Sequence, residues 1–240
     1  MEMRKQKRLG CIVPAINVIA EDDFITLCPA DAGVHFARAD VDQTRSLAEQ
    51  FQQMIDDAPR LGTTLAKAGV GVITFACTSA SFFKGEGSDA VIAEAIAESA
   101  GVPAITTATA VTDALKTLKA GRIGIATPYI EWVFEAERAF FAKAGFDVAG
   151  ITGMNRRGGA EVNTISDDEI RAIVDEVDGE GIDTLFVSCT DLPALGLIEE
   201  LEDRHQKPVV SSNQATFWTA ARALGIGPIE GYGRLLARHL

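Results

Sequence analysis

The sequence predicts an α/β fold of two pseudo-symmetric lobes, each a mainly parallel sheet flanked by helices. Three observations carry that expectation. Strand-length apolar runs alternate with helix-period segments from end to end, the pattern of parallel sheets covered by helices. Two of these runs, Gly69-Val-Gly-Val-Ile-Thr-Phe-Ala-Cys77-Thr and Gly181-Ile-Asp-Thr-Leu-Phe-Val-Ser-Cys189-Thr, open with Gly and end on Cys-Thr. Their β-branched and aromatic middles suit strands buried on both faces. Finally, three landmarks recur in one order: Pro14 with Pro128, Cys77 with Cys189 and Pro103 with Pro208, at offsets of 114, 112 and 105 residues. Two copies predict a duplicated pair of lobes packed face to face, not a solenoid. The expected boundaries are an N-terminal lobe over 1–110, completed by 214–240, and a C-terminal lobe over 111–213.

In chain order, residues 8–14 read as a first strand entering a turn at 14–17. Residues 19–24 open a helix, with Glu21, Asp22 and Asp23 suiting its positive end. Residues 34–39 form a second strand. Leu47, Phe51, Met54, Ile55, Leu61 and Leu65 have helical spacing, and Pro59-Arg-Leu-Gly62 predicts a break into two helices. After the first cysteine strand come a turn at 84–87, a helix over 90–100 stopped by Gly101, a strand at 102–106 and a helix over 109–118. The second half restarts the plan with a strand at 122–128, a helix over 131–144 and a strand at 147–151. An irregular loop at 156–163 then precedes a helix to Val177, started by Ser166-Asp-Asp-Glu169. Beyond the second cysteine strand lie a helix over 195–205, a strand at 207–212 and a helix over 214–224. The Gly-rich tail 225–234 is expected to cover part of the body.

With 240 residues, 47% of them hydrophobic, the chain can bury a sizeable core. Its formal net charge of -12 argues against nucleic acid or an anionic membrane as partner, since both are held by Lys/Arg clusters. No run is long enough to span a bilayer, and no signal peptide is expected from the charged start. Four cysteines are too few for a disulfide framework, so a reducing cytoplasm is the expected compartment.

Open parallel sheets do their chemistry beyond the carboxyl ends of strands, where Cys77 and Cys189 stand. A thiolate is a nucleophile and a base, and a thiol is an acid. One cysteine on each side of a flat substrate adds a proton on one face and removes one, or attacks, on the other. Such a pair serves racemisation, cis–trans isomerisation, or decarboxylation followed by protonation, with no metal or organic cofactor. The central expectation is that the two cysteines face one another across one small-acid pocket. Cys11 in mid-strand and Cys28 beside Pro29 read as small buried hydrophobes. No Cys-x-x-Cys occurs, and His35, His205 and His239 lack ligand spacing, so no zinc site is expected.

Thr78 and Ser79 offer hydroxyls and backbone N–H groups to a carboxylate, with helix capping as the ordinary alternative. Thr190 follows Cys189 in the same way. Asn17 and Tyr129 lie just past matching turns and carry an amide and a phenol that donate to carboxylate oxygens. Asn163 lies in a loop, and the Arg156-Arg157 pair reads as solvated. A non-catalytic small-acid binding protein would also suit two lobes, but it leaves the paired cysteines without a use.

Taken in order, Val13-Pro-Ala-Ile-Asn17, Ala76-Cys-Thr-Ser-Ala-Ser81, Thr127-Pro-Tyr129, Val162-Asn-Thr164, Val187-Ser-Cys-Thr190 and Ser211-Ser-Asn-Gln214 resemble the aspartate/glutamate racemase superfamily. The similar branch holds maleate cis–trans isomerases, arylmalonate decarboxylase and ectoine-utilisation relatives. The resemblance runs from Arg8 to Arg234. It implies an active site between the lobes, cofactor independence and commonly homodimers. In maleate isomerases the first cysteine attacks a double-bond carbon, giving a succinyl-cysteine-like adduct, and the second supplies and removes the proton. By that resemblance Cys77 is the nucleophile, Cys189 the acid/base, and Asn17, Tyr129 and Asn163 occupy carboxylate-binding positions. Thr78-Ser79 depart from the isomerases and resemble the carboxylate-holding pair of arylmalonate decarboxylase, which lacks the first cysteine. The expected function is therefore a two-cysteine isomerase of a small mono- or dicarboxylate, with maleate to fumarate the leading case. Decarboxylation, or racemisation of an α-substituted acid or amino acid, is the alternative.

Overall fold

Two four-stranded parallel sheets organise the chain, as a computed structural model that describes residues 7–240 shows. The first six residues of the expected N-terminal lobe lie outside the described residues. The first sheet holds β1 (Lys7–Pro14), β2 (Ala32–Ala39), β3 (Val72–Phe75) and β4 (Ala104–Thr106) in the order β2-β1-β3-β4. The second holds β5 (Arg122–Thr127), β6 (Asp147–Gly153), β7 (Thr184–Val187) and β8 (Val209–Ser211) in the order β6-β5-β7-β8. The two orders are the same under the repeat, and every pairing is parallel. All residues of β3 and β7 are buried, as strands covered on both faces should be.

Helices fill the crossovers of the first half: α1 (Ile19–Leu27), α2 (Leu47–Ala66), α3 (Thr78–Phe82), α4 (Ser88–Ala100) and α5 (Thr107–Thr117). Those of the second half are α6 (Glu131–Lys143), α7 (Ala160–Asn163), α8 (Asp167–Val177), α9 (Ile198–His205), α10 (Ser212–Ala223) and α11 (Arg234–Arg238). Capping boxes at Ser46/Glu49, Ser166/Glu169 and Ser211/Gln214 start α2, α8 and α10. Each satisfies two backbone N–H groups that the first helical turn leaves open. Among the described residues no helix is long and apolar enough to cross a membrane.

Three expectations need correction. The break at Pro59 does not occur: α2 runs through it. An interior proline costs about 3 kcal/mol, but this helix buries Phe51, Met54, Leu61 and Leu65 along one face, each contributing roughly 1.5–3 kcal/mol. The end of the 156–163 loop winds into the single turn α7. The 195–205 helix begins as a 3-10 turn, Leu195–Leu197. The segment after the Gly-rich tail forms α11, held by the Trp218 indole N–H donating to His239 O (3.0 Å). The tail itself covers α9 and α10: Gln214 Nε2 donates to Tyr232 O (2.6 Å), and the Arg234 N–H donates to Glu202 Oε2 (3.0 Å).

An aromatic seam carries the core from one sheet to the other. Phe82 on α3 meets Phe140 on α6 with centroids 6.3 Å apart, and Phe141 meets Phe186 of β7 edge-on at 5.4 Å. Although α10 follows the last strand of the second sheet, it packs on α1 and α5. Phe217 sits edge-on to Phe24 (5.6 Å), and the Thr216 hydroxyl donates to Thr107 Oγ1 (3.1 Å). The start of α10 thereby lies between the ends of β3 and β7.

Candidate active site

Both cysteine strands stop short of their cysteines. β3 ends at Phe75, and Cys77 takes the N-cap position of α3. β7 ends at Val187, and Cys189 adopts φ 115°. A side-chain-bearing residue reaches that region only when its surroundings over-determine it. Here they do. The Cys189 N–H donates to Ser212 Oγ (3.0 Å), its sulfur accepts the Asp191 N–H (3.4 Å), and the Ser188 hydroxyl donates to buried Glu137 Oε1. The Thr78 hydroxyl donates to the same Ser212 Oγ (3.0 Å). One side chain at the start of α10 thus ties the segment after Cys77 to Cys189.

Cys77 and Cys189 line one cavity of ≈ 640 Å3, its open mouth included. Asn17, Thr78, Ser79, Tyr129 and Thr190 line it too, so seven of the eight residues singled out in the sequence converge. The eighth, Asn163 at the end of α7, does not line the cavity; its amide stands beside Asp191 and favours that carboxylate's ionised form. Several lining groups also hold the scaffold. Asn17 Nδ2 donates to Thr190 Oγ1 (2.9 Å), and Asn17 Oδ1 accepts the Ala20 N–H (2.9 Å). The Thr190 hydroxyl donates to Ala76 O (3.2 Å), joining the two strand ends. Arg38 Nη1 donates to Asn17 O (2.8 Å) and fixes the turn. Gly153 on β6 presses on the other turn: a Cβ there would stand 2.4 Å from Tyr129 O.

Four polar residues of the cavity were not legible in the sequence: Gln50, Asp191, Arg156 and Arg157. Asp191 lines it, with Oδ1 accepting the N–H groups of Val18 (3.0 Å) and Ile19 (3.3 Å) at the start of α1. Arg156 and Arg157, expected in a solvated loop, line the mouth as well; Arg156 pairs with Glu169 at 3.5 Å. The loop bends inward because Gly158 and Gly159 take positive φ, open to glycine without penalty. Apart from Gln50, whose amide donates to Arg45 O (2.8 Å), the rest of the wall is mostly apolar, with Val41, Leu47, Phe51, Met54, Val133 and Val162.

Burial dominates the electrostatics. It pushes the Cys77 thiol up to about 11, against the Ala80 N–H and Ser79 hydroxyl, which favour the thiolate. It raises Cys189 as well, with the Asp191 charge adding to it and the Asp191 N–H and Tyr129 phenol opposing. Tyr129 is raised well above the usual phenol range by burial and by the Cys189, Glu137 and Cys77 charges. Glu137 rises to about 8 and Asp191 to about 6, both through burial. The resting site therefore holds two neutral thiols, able to give a proton and, once ionised, strongly basic. Cys11, fully buried within β1 and raised to about 12 by burial, has no part in the cavity.

A two-lobed α/β body with a thiol from each half in one cavity defines an enzyme of the kind that isomerises or decarboxylates small acids. The chain belongs to the arylmalonate decarboxylase family, whose model matches residues 9–236. Arylmalonate decarboxylase of Bordetella bronchiseptica is 32% identical over 242 residues, covering 98% of both chains. The crystal structure of the maleate isomerase Iso from Pseudomonas putida S16 superposes with a TM-score of 0.92 at 25% identity, covering 98% of this chain and 99% of that one. A cysteine mutant of Nocardia farcinica maleate cis–trans isomerase, with a covalently bound succinylcysteine intermediate, superposes with a TM-score of 0.90 at 26% identity, over 97% and 98% of the two chains.

Proposed function

We propose that this enzyme is a cofactor-independent, two-cysteine isomerase of a small carboxylic acid. The observation that carries the reading is that both strand-end cysteines open onto one cavity. The Tyr129 phenol, the Ser79 hydroxyl and the free Asn17 amide hydrogen hold the carboxylate between the thiols. With maleate, the sulfur of Cys77 bonds to one alkene carbon while Cys189 gives its proton to the other, and the proton leaving Cys77 returns the Cys189 sulfur to a thiol. Rotation about the new single bond and reversal of the same steps releases fumarate and both thiols. The succinylcysteine species of the Nocardia relative supports this route.

A second reading rests on the apolar wall of Val41, Leu47, Phe51, Met54 and Val133, which suits an acid with an apolar α-substituent. For such an acid the two thiols exchange the α-proton from opposite faces, racemising the centre, or protonate the carbanion left by decarboxylation. One experiment separates the modes: incubation with maleate, a series of malonates and chiral 2-substituted acids in deuterated water, followed by NMR. Fumarate formation marks the first mode, α-deuteration with loss of optical activity the racemase, and carbon dioxide release the decarboxylase. No change in any of these substrates would refute the reading.

A further inference from the structure

Glu137 lies behind the cavity and not in its wall. It is fully buried, as are Thr127 and Ser188 beside it. The other buried residues of α6 are Val133, Phe140 and Phe141, all apolar. An apolar side chain of similar size would cost less to bury than a carboxyl, so stability alone does not call for Glu at this position. What the carboxyl does is reach two strand ends. Its Oε1 accepts the hydroxyl of Ser188, the residue between β7 and Cys189. The hydroxyl of Thr127, the last residue of β5, stands beside the carboxyl as well. Oε2 has no hydrogen-bond partner among the described residues, which suits a neutral carboxyl better than a carboxylate. Each strand-end residue leads into the site. The Ser188 N–H is tied to Ala126 O (2.8 Å), so the Glu137 contact fixes its side chain as well as its backbone, immediately before Cys189 turns to φ 115°. Thr127 Oγ1 accepts the Tyr129 N–H at the long limit of 3.5 Å, and the Tyr129 phenol favours the Cys189 thiolate.

We propose that Glu137 is a positioning residue of the reaction: from behind the cavity its carboxyl grips Ser188 and so aims the Cys189 sulfur at the substrate carbon with which it exchanges a proton. The inference rests on the reading above, in which Cys189 acts as acid and base on a small carboxylic acid, and it names what holds that thiol in place. Ser212 of α10 holds the Cys189 N–H, and Glu137 of α6 holds the residue before it, so the strained residue is gripped from two elements. Such strain persists only where the surroundings over-determine it. Proton transfer needs donor and acceptor within roughly 2.6–3.2 Å, and a misplacement of about 1 Å can cost about a hundredfold in rate. Loss of the grip therefore acts on the chemical step, while the carboxylate donors Asn17 and Ser79, on the other half of the chain, keep their places.

The test is steady-state kinetics of Glu137→Leu, Glu137→Gln, Ser188→Ala and the Leu/Ala double variant, well below each Tm, with whichever acid the wild type converts among maleate, the malonates and the chiral 2-substituted acids. Glu137→Leu keeps the volume and removes the acceptor; kcat should fall about tenfold to a hundredfold and KM change by less than about threefold, the pattern of an interaction that matters to the chemical step. Glu137→Gln keeps an oxygen for the Ser188 hydroxyl without a charge, so its kcat should stay within about threefold of the wild type. Ser188→Ala cuts the same hydrogen bond from its other end, and the double variant should be no slower than Glu137→Leu alone, because residues that share one interaction do not add. If the leucine variant does not fold, Ser188→Ala decides by itself through a lower kcat at an unchanged KM. Wild-type kcat in Glu137→Leu or Ser188→Ala, whatever the Tm, overturns the inference and leaves Glu137 a structural residue. A glutamine variant as slow as the leucine variant, or losses that multiply in the double variant, overturn it too. A wild type that converts none of these acids refutes the reading above, and the inference with it.

Discussion

At the residue scale the proposed mechanism requires sulfur on both sides of the substrate. Cys77→Ala and Cys189→Ala should each lower kcat by about a thousandfold or more, the scale of losing a nucleophile or an acid/base. Cys11→Ala, outside the cavity, should leave kcat unchanged and cost only about 1–2 kcal/mol of stability from the small void. Turnover that survives Cys77→Ala but not Cys189→Ala would assign the chemistry to the second thiol and point to the decarboxylating mode. The two cysteines were legible because each closes a buried strand with the same Cys-Thr ending. Asp191 was not, because its role comes from backbone N–H groups of Val18 and Ile19 on the other half of the chain, and no local pattern announces such a contact. Glu137 was hidden differently: in α6 it reads as one more polar residue of an amphipathic helix, yet it is fully buried against Ser188. Its consequence can be measured. Burial raises Glu137 from 4.5 to about 8, so the folded protein holds that proton more tightly than the unfolded chain. Stability from this group is complete below about pH 4.5 and falls as pH rises towards 8. Glu137→Gln removes that slope. Between about pH 5 and pH 8 the wild-type Tm should fall relative to the variant by at least 2–4 °C, the size of one kcal/mol in a chain of this length; parallel Tm curves would show that Glu137 is not held neutral.

At the element scale the strands and most helices follow from hydrophobic period and capping, and the exceptions have physical causes. Pro59 was read as a stop, but a stop signal is local, whereas the packed face of α2 is not. Position 62 shows how close that packing is: a Cβ on Gly62 would lie 2.8 Å from Ile96 of α4. The start of α10 matters most to the site. It reads as an ordinary capping signal, and Ser211 and Gln214 do form the capping box, but the next residue, Ser212, joins Thr78 to the Cys189 N–H. Ser212→Ala leaves that half-buried N–H without its acceptor, a loss of about 1 kcal/mol, and releases Cys189 from its φ of 115°. A larger fall in kcat than in substrate affinity is expected, since the hydrogen bonds of the Ser212 hydroxyl go to Thr78 and the Cys189 N–H and not to Tyr129, the proposed carboxylate donor. Equal kcat with lower Tm would give Ser212 a purely structural part.

At the scale of the whole molecule, charge and cavity pull in opposite directions. The net charge of -12 repels a carboxylate at a distance, yet the mouth of the cavity carries Arg156 and Arg157. Arg156 is partly engaged by Glu169. Arg157 forms no ion pair among the described residues, and its backbone N–H, not its side chain, is what meets Glu161. A cation at the rim of a low-dielectric cleft focuses the field locally and raises the concentration of an anion at the entrance. Arg157→Ala should therefore raise KM severalfold with kcat nearly unchanged, the pattern of lost uniform binding. The same logic fixes a salt dependence. The Debye length shrinks from about 30 Å at 0.01 M salt to about 8 Å at 0.15 M, which screens the far-spread surface charge before it screens the short contact at the mouth. In the wild type, moderate salt should thus lift the repulsion while keeping most of the attraction, so KM falls or holds. In Arg157→Ala, where only the partly paired Arg156 is left to offset the repulsion, KM should fall more steeply over the same range. Identical salt curves for the two proteins would remove Arg157 from substrate capture and return the loop to the solvated role its sequence first suggested.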